Sequence, residues 1–383
     1  MLFKLFLAVI TACFMCDSQS AVTYKNLHNF SGGTDGYEPI YNLVRCSNTL
    51  YGMTYEGGSN GIGTVFAIGT NGTGFTNLYS FKGGTDGDYP YGGLTLSGDT
   101  LYGMTYEGGS KNLGTVFTIK TDGSEYKVLY SFGTGTNDGA FPYGSLILSG
   151  GTLYGTTYEG GQSNTGTVFA IGTNGTGYTN LYSFKGGTDG QNPPDGLALG
   201  GSILYGTTYE GGADGYGSVF SISTNGTNYS ILHSFTGGSD GAYPYTKVFV
   251  SGKNLYGTTY EGGADDYGTL FTLKTTGKGF KVLHKFTDGP DGAYPANGVV
   301  VAGGKVYGMT YEGGIGGYGN IFDVSTAGSG FKVLHDFGSG TTNSAYPYQN
   351  TLILSGSILY GTTYYGGTAS GDGYGTIFSL DLR

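Results

Sequence analysis

The chain has no tryptophan, and among its 383 residues there are only three cysteines and nine prolines. Charged residues make up 11% of it, and just two are arginine, Arg45 and Arg383. A net charge of −10 without a basic cluster excludes nucleic acid and an anionic membrane surface as partners, since both are held by clustered Lys and Arg. It leaves neutral glycans, cations and basic proteins. The 79 glycines follow no Gly-X-Y period and proline is scarce, which excludes collagen. No apolar run beyond the N-terminus is long enough to cross a bilayer. No EF-hand loop or Gly-rich nonapeptide calcium array is present.

What is present is one segment repeated seven times. Leu-Tyr-Gly-(Met/Thr)-Thr-Tyr-Glu-Gly-Gly begins at Leu50, Leu101, Leu153, Leu204 and Leu255, with variants at Val306 and Leu359. The starts lie 51, 52, 51, 51, 51 and 53 residues apart. A fixed period of this size, built from short strand-like runs and Gly-rich turns, predicts an all-β, seven-bladed β-propeller. The 36 tyrosines and 22 phenylalanines supply its apolar surface.

The N-terminus reads as an export signal: Lys4, an apolar stretch from Leu5 to Met15, and small residues Ser18 and Ser20 ahead of a cleavage point before Ala21. The expected division is a signal peptide over 1–20 and the propeller over 21–383, with the mature protein secreted. The alternatives are periplasmic retention, or a lipid anchor at Cys13, which lies in a lipoprotein-like Ile10-Thr11-Ala12-Cys13. Cys13 and Cys16 leave with an ordinary signal, so Cys46 stands alone and the mature domain has no internal disulfide.

One unit predicts four antiparallel strands: Gly93–Ser97, Leu101–Tyr106, Gly114–Lys120 and Tyr126–Phe132, with an Asp-Gly hairpin signal at Asp122-Gly123. In the second strand Tyr102, Met104 and Tyr106 are expected to pack on one neighbouring blade, and Leu101 and Thr105 on the other. The chain begins with a fourth-strand pattern, Tyr24 to Phe30, and ends with a third-strand pattern, Gly375 to Leu380. The N-terminal strand is therefore expected to complete the last blade and remove its open edge.

Leu-Tyr-Gly-Thr-Thr-Tyr-Glu-Gly-Gly, Gly-Thr-Val-Phe and Gly-Gly-x-Asp-Gly-Ala-Tyr-Pro-Tyr resemble the GloVer tandem-repeat family of exported, mostly bacterial proteins, from about Tyr24 to Leu380. The resemblance implies Gly/Val-rich units, a signal peptide and often a separate anchor. It implies no catalytic residues. The C-terminal sorting tail of many relatives is not seen here.

Blade topology puts the Glu-Gly-Gly loops and the Gly-Gly-Thr-Asp-Gly-x-Tyr-Pro loops on one rim. Six units supply Glu56, Glu107, Glu159, Glu210, Glu261 and Glu312, together with Asp35, Asp86, Asp138, Asp189, Asp240 and Asp291. Tyr89, Tyr91, Tyr243, Tyr245 and Tyr294 flank them. Carboxylates accept hydroxyl hydrogen bonds and tyrosine faces cover sugar C–H groups, so this rim suits sugars or cations. The structural alternative has Asp capping a turn and Glu bonding the neighbouring blade's amides.

Departures from the repeat mark a second candidate at the junction of last and first units. Ser344 is read as replacing the Asp, Tyr365 replaces the Glu, and Arg45 stands where other units have Leu or Val, with Glu38 as its expected partner. Asn71, Asn174 and Asn225 lie in Asn-Gly-Thr, which is also hairpin-turn chemistry. All four histidines occupy one fourth-strand position and read as packing residues. No cofactor is expected; calcium is the one ion that the density of oxygen ligands would admit. The expected function is a secreted, monomeric, non-enzymatic binding or scaffold protein for extracellular polysaccharide or a surface protein. A carbohydrate-active enzyme using rim carboxylates and a purely structural exported protein are the alternatives.

Overall fold

The computed structural model describes residues 22–338, 344–367 and 373–383. Seven four-stranded antiparallel sheets succeed one another along the chain. In the second repeat the strands, a to d from the axis outward, are Thr95–Ser97, Thr100–Thr105, Thr115–Lys120 and Lys127–Ser131. Strand a is shorter than its sequence pattern because Gly93 leaves the ladder, its N–H donating to the Ser145 hydroxyl of the next blade at 3.1 Å. The Asn-Gly pairs do form the c–d hairpin turns, but with positive φ at the glycine alone, so they are not type I′. The Asn71 side chain accepts from the Thr73 amide at 3.0 Å, with Gly72 at φ 87°.

The seventh sheet has the order Thr23–Asn29, Thr376–Asp381, Ile358–Thr363, Ile353–Ser355. Its outer strand comes from the other end of the chain, with Thr23 opposite Asp381 and Asn29 opposite Thr376.

Seven apolar clusters each join one blade to the next. In the first, Tyr51, Met53, Val65 and Phe81 meet Leu94, Leu101, Phe117 and Ile119. Another joins Leu27, Tyr360 and Ile377 of the seventh blade to Leu43, Leu50, Phe66 and Ile68 of the first. The twelve largest fully buried side chains are all Phe, so aromatic edges carry the inter-blade contact. Phe81 and Phe117, for example, cross at 73° with centroids 5.4 Å apart. The strand-b glycine has a packing cause: a Cβ on Gly103 would stand 2.5 Å from Cζ of Phe117, and the equivalent glycines meet the same ring in the other blades.

Candidate functional site

The two repeated loops meet on one rim by backbone pairing, as at Tyr37 with Glu56, Asp88 with Glu107 and Ala242 with Glu261. The Asp and Glu of these loops do different things. Each described Asp is used up inside its own turn. Asp86 accepts from the Tyr79 hydroxyl at 2.7 Å and the Lys82 amide at 2.8 Å. Asp291 accepts from His284 Nε2 at 2.9 Å and the Thr287 hydroxyl at 2.5 Å.

The Glu residues pair across the rim mainly through their backbone. Glu56 accepts the Tyr37 hydroxyl and Glu210 accepts Gln191 Nε2 at 2.8 Å. Glu107, Glu159, Glu261 and Glu312 make no side-chain hydrogen bond among the described residues, and no rim Glu bonds a neighbouring amide there. The expected amide role of Glu therefore fails, because loop amides already donate to backbone carbonyls, as the Glu107 N–H does to that of Asp88 at 3.2 Å and the Gly109 N–H to that of Gly84 at 2.8 Å. The Thr105 hydroxyl donates to the Glu107 carbonyl at 2.8 Å and sits 2.8 Å from the Thr115 hydroxyl. Burial pushes the Glu261 and Glu312 carboxyls up from the ordinary range.

The residue before each rim proline takes the left-handed conformation. Glu38, Tyr89, Phe141, Asn192, Tyr243, Tyr294 and Tyr346 have φ between 52 and 56°. Side chains rarely accept this, at a cost on the order of 1 kcal/mol each. Two backbone hydrogen bonds hold it: the Tyr89 N–H donates to the Ile62 carbonyl at 3.0 Å, and its carbonyl accepts from the Tyr106 N–H at 2.9 Å. Each such residue stitches the b–c loops of two adjacent blades together.

Other tyrosines of these loops and strand ends form a cup at the mouth of the axis. A cavity of about 630 Å³ is lined by Ile40 and nine tyrosines, among them Tyr55, Tyr91, Tyr106, Tyr143, Tyr260, Tyr311 and Tyr348, from six of the seven blades. Sequence reasoning expected Tyr106 between blades. Strand b ends one residue earlier, at Thr105, so Tyr106 and its equivalents turn out toward the axis. Tyr102, within the strand, does pack between blades, at 8% exposure. The missed signal was the position of the second Tyr, immediately ahead of the Gly-rich loop.

The cup tyrosines contact one another across the ring. Tyr91 and Tyr143 lie 4.3 Å apart, and the Tyr348 hydroxyl donates to that of Tyr245 at 2.9 Å. Three strand-end tyrosines, Tyr55, Tyr106 and Tyr158, lie between successive carboxylates. Burial, then Glu56 and Glu107, pushes the Tyr55 hydroxyl up to about 12. The Tyr106 hydroxyl is raised by burial, then by Glu159 and Glu107. Below the tyrosines, loops of adjacent blades hydrogen-bond around the axis, as where the Gly144 N–H donates to the Tyr91 carbonyl at 3.0 Å. Here buried polar atoms have no partner among the described residues: the Tyr41 hydroxyl, the Thr246 hydroxyl, Asn350 Oδ1 and both side-chain heteroatoms of Gln349.

The four junction residues are not brought together. Arg45 is on strand a beside the a–b turn, donates to the Ser355 hydroxyl, and lines a separate hollow with Ser47, Ile353 and Leu354. It makes no ion pair with Glu38. Glu38 instead lies beside the Tyr364 hydroxyl, its own carboxyl raised by burial. Tyr365 lines the cup. Ser344 is buried, bonding the Tyr24 hydroxyl at 2.7 Å and the Thr376 hydroxyl at 3.0 Å. Its pairing with Gly366 matches that of Gly139 with Gly160, so Ser344 stands in the place of the glycine after the Asp. The residue in the Asp position is Asn343, which lies outside the described residues.

The histidines pack as expected, and three also pair with Asp: His28 with Asp35, His233 with Asp240 and His284 with Asp291. His335 stacks on Tyr24 at 3.9 Å, and its Nε2 has no partner among the described residues. Burial lowers its pKa from 6.5 to about 4. The unfolded chain therefore binds a proton at higher pH than the fold does. The stability that neutral His335 contributes is full above pH 6.5 and is lost as the pH falls toward 4. His335→Phe keeps the stack and is expected to remove a loss on the order of 3 kcal/mol over that window. Denaturation midpoints measured across the window check this; parallel curves for the two proteins would contradict it.

The fold and rim define a class: a seven-bladed β-propeller with a tyrosine cup at one end of its axis. The chain belongs to the Gloeobacter/Verrucomicrobia repeat family, whose model matches residues 12–220 and 200–383. No curated protein sequence matches it. Among solved structures it is similar to an oligogalacturonate lyase in complex with manganese, at 12% identity and TM-score 0.58, covering 95% of this chain and 97% of that one. It is also similar to oligogalacturonate lyase from Vibrio parahaemolyticus, at 10% identity and TM-score 0.57, covering 96% and 95%. At such identity the likeness is one of fold alone.

Proposed function

We propose that this chain is an exported, non-enzymatic binding propeller whose ligand is an extracellular saccharide held in the axial tyrosine cup. The observation that carries the reading is the cavity of about 630 Å³ walled by nine tyrosines from six blades. Tyrosine gives a broad apolar face for a pyranose ring and a hydroxyl for its oxygens, at little cost in side-chain freedom. The rim glutamates support it. Their carboxylates have few internal partners, whereas the equally repeated aspartates are all engaged. A purely structural rim would leave neither free. Binding is favoured over catalysis because no pair of the six rim carboxylates is marked off as an acid and a base: among the described residues four make no side-chain hydrogen bond, and the other two bond a tyrosine and a glutamine.

A glycan array probed with the mature protein, with and without calcium, tests the proposal. The expected result is binding to a saccharide that falls about tenfold, or roughly 1.4 kcal/mol, in Tyr106→Ala and in Tyr260→Ala. Binding unchanged in both variants would remove the cup from the account.

A further inference from the structure

The cup's charge points to a narrower ligand class, and this step rests on the binding reading above. We propose that the saccharide carries protonated amines, as an oligomer of amino sugars does. Along one arc of the mouth, from Glu56 to Glu210, tyrosines alternate with carboxylates. The charged groups acting on Tyr106 are Glu159 and Glu107, and those on Tyr158 are Glu210 and Glu159. No lysine or arginine acts on either. A tyrosine face beside a carboxylate is the chemistry that receives an ammonium, by cation–π attraction and by charge-assisted hydrogen bonding. Inside a partly closed cup such pairs are less screened than on an open surface.

The floor has the same character. Asp195 is 3% exposed and accepts from the Gly196 and Lys247 amides at 2.6 and 3.1 Å. Lys247 therefore meets Asp195 through its backbone, and its ammonium makes no ion pair among the described residues. Tyr41, 2% exposed, keeps an unpartnered hydroxyl next to Asp195 and the cup residues Tyr91 and Tyr143. The buried, unpartnered heteroatoms of Gln349 lie in the adjoining axial loop. A hydroxylated cation satisfies this set better than a neutral sugar. An anionic uronate meets repulsion at every carboxylate.

Calorimetric titration of the mature protein at mildly acidic pH tests this with three probes of equal length: a glucosamine oligomer, its N-acetylated form and an oligogalacturonate. The glucosamine oligomer is expected to bind at least about tenfold more tightly than the acetylated form, with affinity falling as salt rises. Glu107→Gln combined with Glu159→Gln is expected to abolish that preference at an unchanged thermal midpoint, because neither carboxylate has an internal bond. Equal affinity for the glucosamine and acetylated oligomers overturns the charge inference and leaves the binding reading standing. Tighter binding of the oligogalacturonate overturns it as well. Binding of none of the saccharides here or on the array overturns both readings.

Discussion

Deletion of residues 22–30 is expected to yield a protein that associates or aggregates, and that recovers a discrete monomeric fold when a peptide of residues 22–31 is supplied. The deleted strand covers the backbone edge of Thr376–Asp381. It also carries Leu27 and Phe30, 8% and 3% exposed, into the cluster shared by the last and first blades. Losing one buried Phe costs about 3–5 kcal/mol. Losing a whole strand with it exceeds the margin of most domains and leaves an unpaired edge, which is a template for association. His28 adds a stack on Phe75 of the first blade, with centroids 3.9 Å apart. Size exclusion and circular dichroism with and without the peptide check the result. A truncated chain that stays monomeric with the intact midpoint would contradict it.

The second large effect is expected at Gly144→Ala. Gly144 has φ 85°, and a Cβ there would overlap the Gly196 amide nitrogen and the Asp195 side chain. Backbone cannot move aside as a flexible side chain can, so overpacking adds to the conformational strain. The expected loss is about 3 kcal/mol or more. Gly98→Ala is the control: its φ is 60°, but its Cβ would meet nothing within 4 Å, and the expected loss is about 1 kcal/mol. Denaturant midpoints of the two variants check the difference. Equal midpoints would show that the axial loops are not packed backbone to backbone.

The repeat period and the register of its strands made the architecture legible from the sequence. Alternation within Leu101–Thr105 identified both packed faces, and the loop topology put Glu and Asp on one rim. The cup itself was not legible. Its walls come from residues far apart in the chain, as with Tyr245 and Tyr348, 103 positions apart, and no local pattern reports a meeting at the axis. The strand-end tyrosines were misassigned because their exit from the ladder depends on where the Thr105 hydroxyl closes the loop. The junction residues looked like one site because ring closure sets the last unit beside the first. Strand direction separates them, with Arg45 beside the a–b turn and Tyr365 in the cup.

The most direct measurement is a crystal structure of residues 21–383 soaked with the saccharide that binds most tightly in solution. The ligand is predicted to lie on the axis, against Tyr91, Tyr143 and Tyr348, with its polar groups toward the rim glutamates. Ligand density on the outer d strands, with the cup holding only solvent at saturating concentration, would contradict the account.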